Sequence, residues 1–222
     1  MRVKTDAKRR AILAAAAEVF RDNGFAGASM SAVGERAGSS KATLYRYFPS
    51  KADLFVALML DEVIAQAESV FETLRPSDDL RRTLVRFGVG LLELSLSEAS
   101  LSVRRNSIAE GARAGLGQPL YERGPLRLWS KMAAFLEAEM AAGRLRAADP
   151  WTVAMHLRGM LEADLVNRAL IGADVDAGRK TLKLHAVSAV DALLRAYGPA
   201  GPVAGTSASA TPPSTGRVAP TT

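Results

Sequence analysis

Residues 29–48, which read SMSAVGERAGSSKATLYRYF, restrict the possible fold more than any other part of the chain. They contain two short helical patterns separated by Gly38. Ser29 can cap the first helix, and Ser39 or Ser40 the second, because a serine hydroxyl accepts a hydrogen bond from a free N–H group in the first turn. Gly38 suits the turn because glycine adopts positive φ without a Cβ penalty. Two short helices joined in this way predict a helix-turn-helix.

The spacing of apolar and polar residues divides these two helices into an inner and an outer side. Val33, Ala37 and Leu44 are expected to form the inner seam, and Phe48 to lie in the core. The second helix then presents six residues outward: Lys41, Ala42, Thr43, Tyr45, Arg46 and Tyr47. Short side chains at its start would let the backbone approach a phosphate, since helix N-terminal amides favour anions.

In the rest of the chain, apolar residues recur at helical spacing between capping residues and Gly or Pro breaks. We therefore predict an all-α fold. The predicted helices cover about 6–23, 29–37, 39 or 40–48, 51–73, 78–97, 100–112, 120–142, 149–171 and 176–197. We expect two domains, an N-terminal three-helix domain over 6–66 that contains the helix-turn-helix and a C-terminal helical domain over 74–197. Proline, glycine, serine, threonine and alanine dominate from Gly198, so residues 198–222 are predicted to be a disordered tail.

Composition narrows the class of protein further. The chain has no cysteine and two histidines, which excludes thiolate chemistry and argues against a metal site or cofactor. No apolar run approaches the roughly 20 residues of a membrane-spanning helix, so a cytoplasmic protein without membrane contact is expected. Residues 1–51 hold ten Lys and Arg against four Asp and Glu, a net +6 that equals the charge of the whole chain. Such a concentration of basic charge is typical of phosphate binding.

The segment from Ala11 to Leu58 resembles the DNA-binding domain of the TetR family, through its NGF turn, its A-G turn and the sequence TLYRYFPSKADL. The resemblance implies a homodimer that binds double-stranded DNA at a palindromic operator. Groove-facing positions of the family match Lys41, Ala42, Tyr45, Arg46 and Tyr47, and phosphate-holding positions match Ser29, Ser31, Ser40, Thr43 and Lys51. Two residues depart from the pattern: Gly34 stands where alanine is more usual, and Ser39 where valine is usual.

The second half of the chain is similar to the C-terminal domain of AefR-like regulators, on the sequence around 121–125, the segment 141–145 and residues 149–170. This similarity implies a small-molecule effector, a repressor function and a dimer interface made by the helices 149–171 and 176–197. Seven residues give these helices apolar faces suited to a partner or to the monomer core: Leu157, Leu161, Leu165, Leu184, Val187, Val190 and Leu194. The polar candidates for an effector pocket are Arg104, Arg105, Glu110, Trp129, His156, Glu162, Asp164 and Asn167.

Three alternatives to a repressor follow from the same residues. A transcriptional activator of the same family would use the same DNA-binding residues. An enzyme could use His156 with Glu162 or Asp164, but no nucleophile motif or cofactor loop accompanies them, so we expect no enzyme. An adaptor without DNA binding is disfavoured because Lys41, Tyr45 and Arg46 are all present.

Overall fold

A computed structural model describes residues 2–76, 79–111 and 115–199, and all regular structure in these ranges is helical, as predicted. The first helices are α1 (Arg2–Gly27), α2 (Met30–Arg36), α3 (Lys41–Tyr47) and α4 (Lys51–Phe71). They are followed by α5 (Leu80–Ser95), α6 (Glu98–Gly111), α7 (Gly117–Tyr121), a π-helical turn (Glu122–Leu126), α8 (Arg127–Ala141), α9 (Pro150–Glu162), α10 (Leu165–Leu170) and α11 (Arg179–Tyr197). Most of the predicted tail, residues 200–222, lies outside the described ranges.

Side-chain caps begin five of these helices. Each cap accepts a hydrogen bond from the backbone N–H three residues further along the chain, and the capping residues are Ser29, Ser40, Ser50, Asp79 and Asp149. The caps predicted at Ser29 and at Ser39 or Ser40 are thereby confirmed, with Ser40 rather than Ser39 beginning α3. A cap of this kind stabilises a helix by about 1 kcal/mol, which matters most for α2 and α3 because each has only seven residues.

The N-terminal core lies between α1, α2, α3 and the first half of α4. Val33 and Leu44 are each only 1% exposed, which confirms the predicted inner seam, and Phe48 is buried as expected. Phe20, Phe25 and Phe55 form a cluster of aromatic contacts. Leu116 and Leu120, from the second half of the sequence, also belong to this core, and the sequence analysis did not foresee that.

The larger C-terminal core is built by α5, α8, α9 and α11 with the second half of α4. Phe71, Phe87 and Trp129 contact one another edge to face at its centre. The long helix α4 therefore contributes to both cores: Leu54 is buried in the N-terminal one and Phe71 in the C-terminal one.

The predicted helix over 120–142 is wrong in one respect, because its first part is not α-helical throughout. A π-helical turn over Glu122–Leu126 separates α7 from α8. Pro125 explains the change of geometry, since it has no N–H to donate and its ring would clash with the carbonyl of Tyr121 in an α-helix.

The predicted helix over 149–171 is interrupted as well. It ends at Glu162 and resumes as α10 at Leu165. The side-chain amide of Asn167 donates to the carbonyl oxygen of Ala163 at 2.7 Å, and so satisfies a carbonyl at the interruption.

The monomer itself buries most of the apolar residues that the sequence offered to a dimer partner. Leu157, Leu161, Leu165 and Val190 lie in the C-terminal core, and Val187 and Leu194 are half-buried. Leu184, on α11, is the exception, with 64% of its surface exposed.

Substitution of Gly38 tests whether the turn between α2 and α3 requires a residue with positive φ. Its φ is +54°, so Gly38→Ala should lower the free energy of unfolding by about 1 kcal/mol, while Gly38→Asn should lower it less because asparagine tolerates this conformation. Urea denaturation of the two variants measures the difference. Equal stability of the alanine variant and the wild type would contradict the role given to Gly38.

Candidate DNA-binding surface and effector cavity

The N-termini of α2 and α3 open onto one surface depression. Five of the predicted DNA-binding residues line it, together with Gly34, Glu35 and Ser39: Ser29, Ser31, Lys41, Tyr45 and Lys51. A Cβ on Gly34 would lie 3.3 Å from the carbonyl oxygen of Ser39, so the glycine permits the close approach of α2 to the turn. The departure of Gly34 from the family pattern thus has a local packing consequence.

The outer face of α3 is accessible. Ser40, Lys41, Ala42 and Arg46 are exposed, and Tyr45 is 41% exposed. Two further predicted residues, Thr43 and Tyr47, are half-buried. The Tyr47 ring packs against the N-terminal core and lies 5.6 Å from the Arg46 guanidinium.

Lys51 has a specific structural environment. Its ammonium donates to the carbonyl oxygens of Phe25, Ala26 and Ala28 at 2.7, 3.2 and 3.0 Å. It thereby satisfies the carbonyls of the turn that leads from α1 into α2. Lys8 does the same for the turn between α2 and α3, donating to the carbonyl oxygens of Ala37 and Gly38.

Ion pairs neutralise some of the basic residues near this surface. Arg36 pairs with Glu18 at 2.5 Å, and Arg9 pairs with Asp61 at 2.5 Å. Among the residues that the structure describes, neither Lys41 nor Arg46 has an acidic partner. The uncompensated positive charge of the helix-turn-helix is therefore carried on α3.

The C-terminal half contains a half-open cavity of about 410 Å³ between α4 and the helices α5 to α10. Its wall is mostly apolar and includes Leu60, Ile64, Phe71, Leu91, Leu128 and Trp129. Volume and lining are typical of small-molecule sites, which range from about 300 to 1,000 Å³.

A charged cluster lies in the wall of this cavity. Glu162 accepts hydrogen bonds from Arg104 at 2.6 Å, from Arg158 at 3.1 Å and from Ser95 at 3.1 Å. Burial acts to raise the pKa of Glu162, but the Arg104 and Arg158 guanidiniums outweigh it and hold the pKa below its ordinary value near 4.5. Glu162 is therefore an ionised carboxylate at neutral pH.

The cavity brings together only some of the residues named from the sequence. Trp129, Arg104 and Glu162 line it. Arg105 points elsewhere and donates to the carbonyl oxygens of Ala169 and Leu170, at the end of α10. The side chain of Glu110 is outside the described residues.

The remaining three candidates lie away from the cavity. His156 is exposed and its Nδ1 is 2.6 Å from the Tyr197 hydroxyl. Asn167 caps the interruption between α9 and α10, and Asp164 pairs with Arg168 at 3.8 Å. His156, Glu162 and Asp164 therefore do not form one site.

Sequence reasoning missed Arg158, Ser95, Ser100 and Tyr121, which also line the cavity. A signal for Arg158 was available, because it precedes Glu162 by four residues and such pairs meet on one helix face. The others come from separate helices whose relative rotation the sequence does not reveal.

One wall of the cavity is also in contact with the DNA-binding half. Leu120 lines the cavity and lies in the N-terminal core. Next to it in the chain, Arg123 of the π-helical turn forms an ion pair with Asp53 in the first turn of α4. Arg127 of α8 pairs with Glu68, further along α4.

Within the described ranges, no helix combines the length and hydropathy needed to cross a membrane. The same residues contain no group of three or more His, Asp or Glu side chains placed to hold a metal ion.

A helix-turn-helix with an exposed basic second helix, joined to a helical half that contains a cavity, is the arrangement of a DNA-binding regulator. Two family models match the chain: "Bacterial regulatory proteins, tetR family" over residues 12–58, and "AefR-like transcriptional repressor, C-terminal domain" over residues 82–199. The chain belongs to the TetR family of transcriptional regulators.

Curated relatives agree with this assignment. The transcriptional regulator EthR of Mycobacterium tuberculosis is 30% identical over 157 residues, which are 68% of each chain. The transcriptional activator FasR of Mycolicibacterium smegmatis is 39% identical over 83 residues, which span 37% of this chain and only 38% of FasR.

Solved structures show the same architecture. A TetR-family regulator from Mesorhizobium loti superposes with a TM-score of 0.71 at 29% identity, over 87% of this chain and 98% of its own. The "Flavonoid-responsive Regulator FrrA" superposes with a TM-score of 0.72 at 29% identity, over 88% of this chain and all of its own.

The depressed pKa of Glu162 predicts a contribution to acid stability. The ionised carboxylate stabilises the fold above a pH of about 4.5, and this contribution is lost as the pH falls through the lower pKa of the folded state. Glu162→Gln should therefore be less stable at neutral pH by roughly 3 kcal/mol, and should lose less stability than the wild type below pH 4.5.

Denaturant titrations at a series of pH values measure this difference. Glu137→Gln, on the exposed side of α8, is the matched control and should follow the wild-type profile. Parallel pH profiles for the wild type and Glu162→Gln would overturn the role given to the buried ion pairs.

Proposed function

We propose that the protein is a ligand-responsive repressor that binds a palindromic operator as a homodimer. The single observation that carries the DNA-binding part is the accessible outer face of α3, on which Lys41 and Arg46 have no acidic partner among the described residues. In this proposal, residues 6–66 form the DNA-binding domain and residues 74–197 the effector-binding and dimerisation domain.

Base edges would be contacted from α3. Lys41, Ala42, Tyr45 and Arg46 are exposed along it, whereas Tyr47, which was expected to face the groove, is half-buried against the N-terminal core. A guanidinium such as that of Arg46 can bind guanine through two hydrogen bonds, a contact that contributes about 1–3 kcal/mol of discrimination.

Phosphates would be held around the depression between α2 and α3. The hydroxyl oxygens of Ser29 and Ser40 accept from backbone N–H groups, which fixes these two side chains at the helix N-termini. Ser31 and Thr43 lie one turn or less away. Lys51 contributes positive charge at the edge of this depression, while its N–H groups hold the turn before α2.

Dimerisation is proposed through the outer faces of α9 and α11. Leu184 of α11 is 64% exposed, and Ile171, just after α10, is 84% exposed. On α9, Gly159 is exposed and has open space where a Cβ would lie, so another helix could approach closely there. A symmetric dimer would hold its two copies of α3 about 34–36 Å apart, one turn of DNA.

A ligand response is supported by the position of the cavity. An effector changes DNA binding only if it binds one arrangement of the dimer better than the other. The cavity wall includes Leu60 and Ile64 of α4 and Leu120, which reaches the N-terminal core, so occupancy of the cavity bears directly on the DNA-binding half. The FrrA structure, which is described as flavonoid-responsive, supports a ligand response in a similar fold.

Repression rather than activation is favoured by the C-terminal half. The family model that matches residues 82–199 describes AefR-like repressors, whereas FasR, described as an activator, matches over only 83 residues. Activation is the second candidate function, and a reporter gene placed behind the operator distinguishes the two by the direction of its change.

The DNA-binding proposal is tested with an operator selected from a random duplex pool. Arg46→Gln should weaken operator binding by about tenfold or more and relax the base preference at one position of each half-site. Lys41→Gln should lower affinity and reduce the dependence of binding on salt. Fluorescence anisotropy over a salt series measures both effects.

Lys131→Gln, an exposed lysine on α8, is the control and should bind as the wild type does. The proposal fails if the folded wild-type protein retains no duplex from the pool at low ionic strength. It also fails if both α3 variants bind with unchanged affinity and sequence preference.

Leu184→Glu tests the dimer. A charge on this exposed apolar position should convert the dimer to monomers, because a buried unpaired carboxylate is strongly unfavourable. Light scattering after size exclusion measures the mass, and operator affinity should fall in parallel. Ala134→Glu, at an exposed position on α8 that does not line the cavity, is the control and should remain dimeric. A dimeric Leu184→Glu variant would place the interface elsewhere.

A further inference from the structure

We infer that the effector is an amphipathic monoanion, with an apolar body and one carboxylate-like group that binds beside Arg104 and Arg158. This inference deepens the proposed ligand response and rests on it. It is carried by the charges that line the cavity and by the hydrogen bonds that these charges leave unused.

The cavity wall holds two cations and one anion. Its charged residues are Arg104, Arg158 and Glu162, and the other lining residues are neutral. Glu162 compensates one guanidinium, so one positive charge remains in a largely apolar space. The side chains of Arg104 and Arg158 are 30% and 29% exposed, so this charge is only partly hydrated, and a ligand with one negative charge would neutralise it.

Arg158 is the residue best placed to bind that charge. It donates to Glu162 through Nε, and its terminal amino groups make no hydrogen bond within the described part of the chain. Its guanidinium lies 5.5 Å from the centre of the Trp129 ring, within the range of a cation–π contact. Two terminal N–H groups held in one plane match the geometry of a carboxylate.

Arg104 is more fully engaged. Its terminal nitrogens donate to both carboxylate oxygens of Glu162 and to the Ser95 hydroxyl. Arg104 therefore holds Glu162 in place, and Glu162 in turn orients Arg158. This arrangement assigns Arg158 the direct contact with the ligand and Arg104 a positioning role.

The body of the ligand would be apolar. Leu60, Ile64, Phe71, Leu91, Leu128 and Trp129 offer no hydrogen bonds to a polar chain apart from the indole N–H. The wall also offers the hydroxyls of Ser95, Ser100, Ser107 and Tyr121, but these are too few for a sugar or a nucleotide, whereas an aliphatic or aromatic monocarboxylate would leave no polar group unsatisfied.

The experiment compares three probes of the same length: decanoate, decanol and decylamine. Calorimetric titration of the full chain without DNA should show decanoate binding at least about tenfold more tightly than decanol, and decylamine binding most weakly. Arg158→Gln should reduce decanoate affinity by about tenfold and leave decanol affinity unchanged.

Arg105, next to Arg104 in the chain, provides a matched control. Arg105→Gln removes a guanidinium that donates to carbonyl oxygens of α10 and does not line the cavity, so it should bind decanoate as the wild type does. Circular dichroism confirms that each variant is folded. Arg104→Gln should lower both decanoate affinity and thermal stability, because it leaves Glu162 with one partner fewer.

Three outcomes would overturn the inference: equal binding of decanoate and decanol, decanoate binding that does not respond to Arg158→Gln, or no binding of decanoate. None of them bears on DNA binding, which is measured without a ligand. A loss of operator binding by the unliganded protein would instead contradict the proposed function.

Discussion

The burial of Leu116 and Leu120 in the N-terminal core is the interaction on which the rest of this structure depends. These two leucines belong by sequence to the second half of the chain, yet they are 2% and 5% exposed among the residues of α1 and α4. Burying a leucine stabilises a fold by about 1.5–3 kcal/mol, so separating the halves here would cost several kcal/mol. The DNA-binding half and the cavity are therefore connected by apolar packing as well as by the chain of α4.

Two ion pairs also join the segment 122–127 to α4. Arg123 reaches Asp53 at the start of α4, and Arg127 reaches Glu68 nearer its end. Exposed pairs of this kind contribute little to stability, typically 0–1 kcal/mol. They do favour one position of the 122–127 segment along α4, and so help to determine how this segment is aligned with the helix.

The helix-turn-helix is held in place by two lysines that donate to backbone carbonyl oxygens. Lys8 and Lys51 satisfy the two turns that flank α2, and the caps at Ser29 and Ser40 satisfy the N–H groups at the starts of α2 and α3. Such short helices are unstable alone, so these contacts and the inner seam determine their orientation.

The helix-turn-helix could be predicted from the sequence because it depends on residues that are close in the chain. The cavity could not, because it depends on how distant helices are rotated. The caps, the Gly38 turn and the seam of Val33 and Leu44 each depend on residues close in the chain, and the structure agrees with them. The cavity depends on helix rotation, and neighbouring residues on a helix point about 100° apart. Arg104 therefore faces the cavity while Arg105 faces α10, a distinction that no local pattern reveals. The same uncertainty explains why four of the seven apolar residues offered to a dimer partner belong to the monomer core.

The π-helical turn determines how α7, which packs into the N-terminal core, is rotated relative to α8, which packs into the C-terminal core. Buried positions recur every four residues through this region, at 116, 120, 124, 128, 132 and 136. A four-residue step overshoots one α-helical turn by about 40°, and the wider π turn takes up part of that drift. Deleting one residue between 122 and 126 would turn the first two leucines by about 100° relative to the last three positions. The number of residues in this stretch therefore cannot change without rotating one core relative to the other.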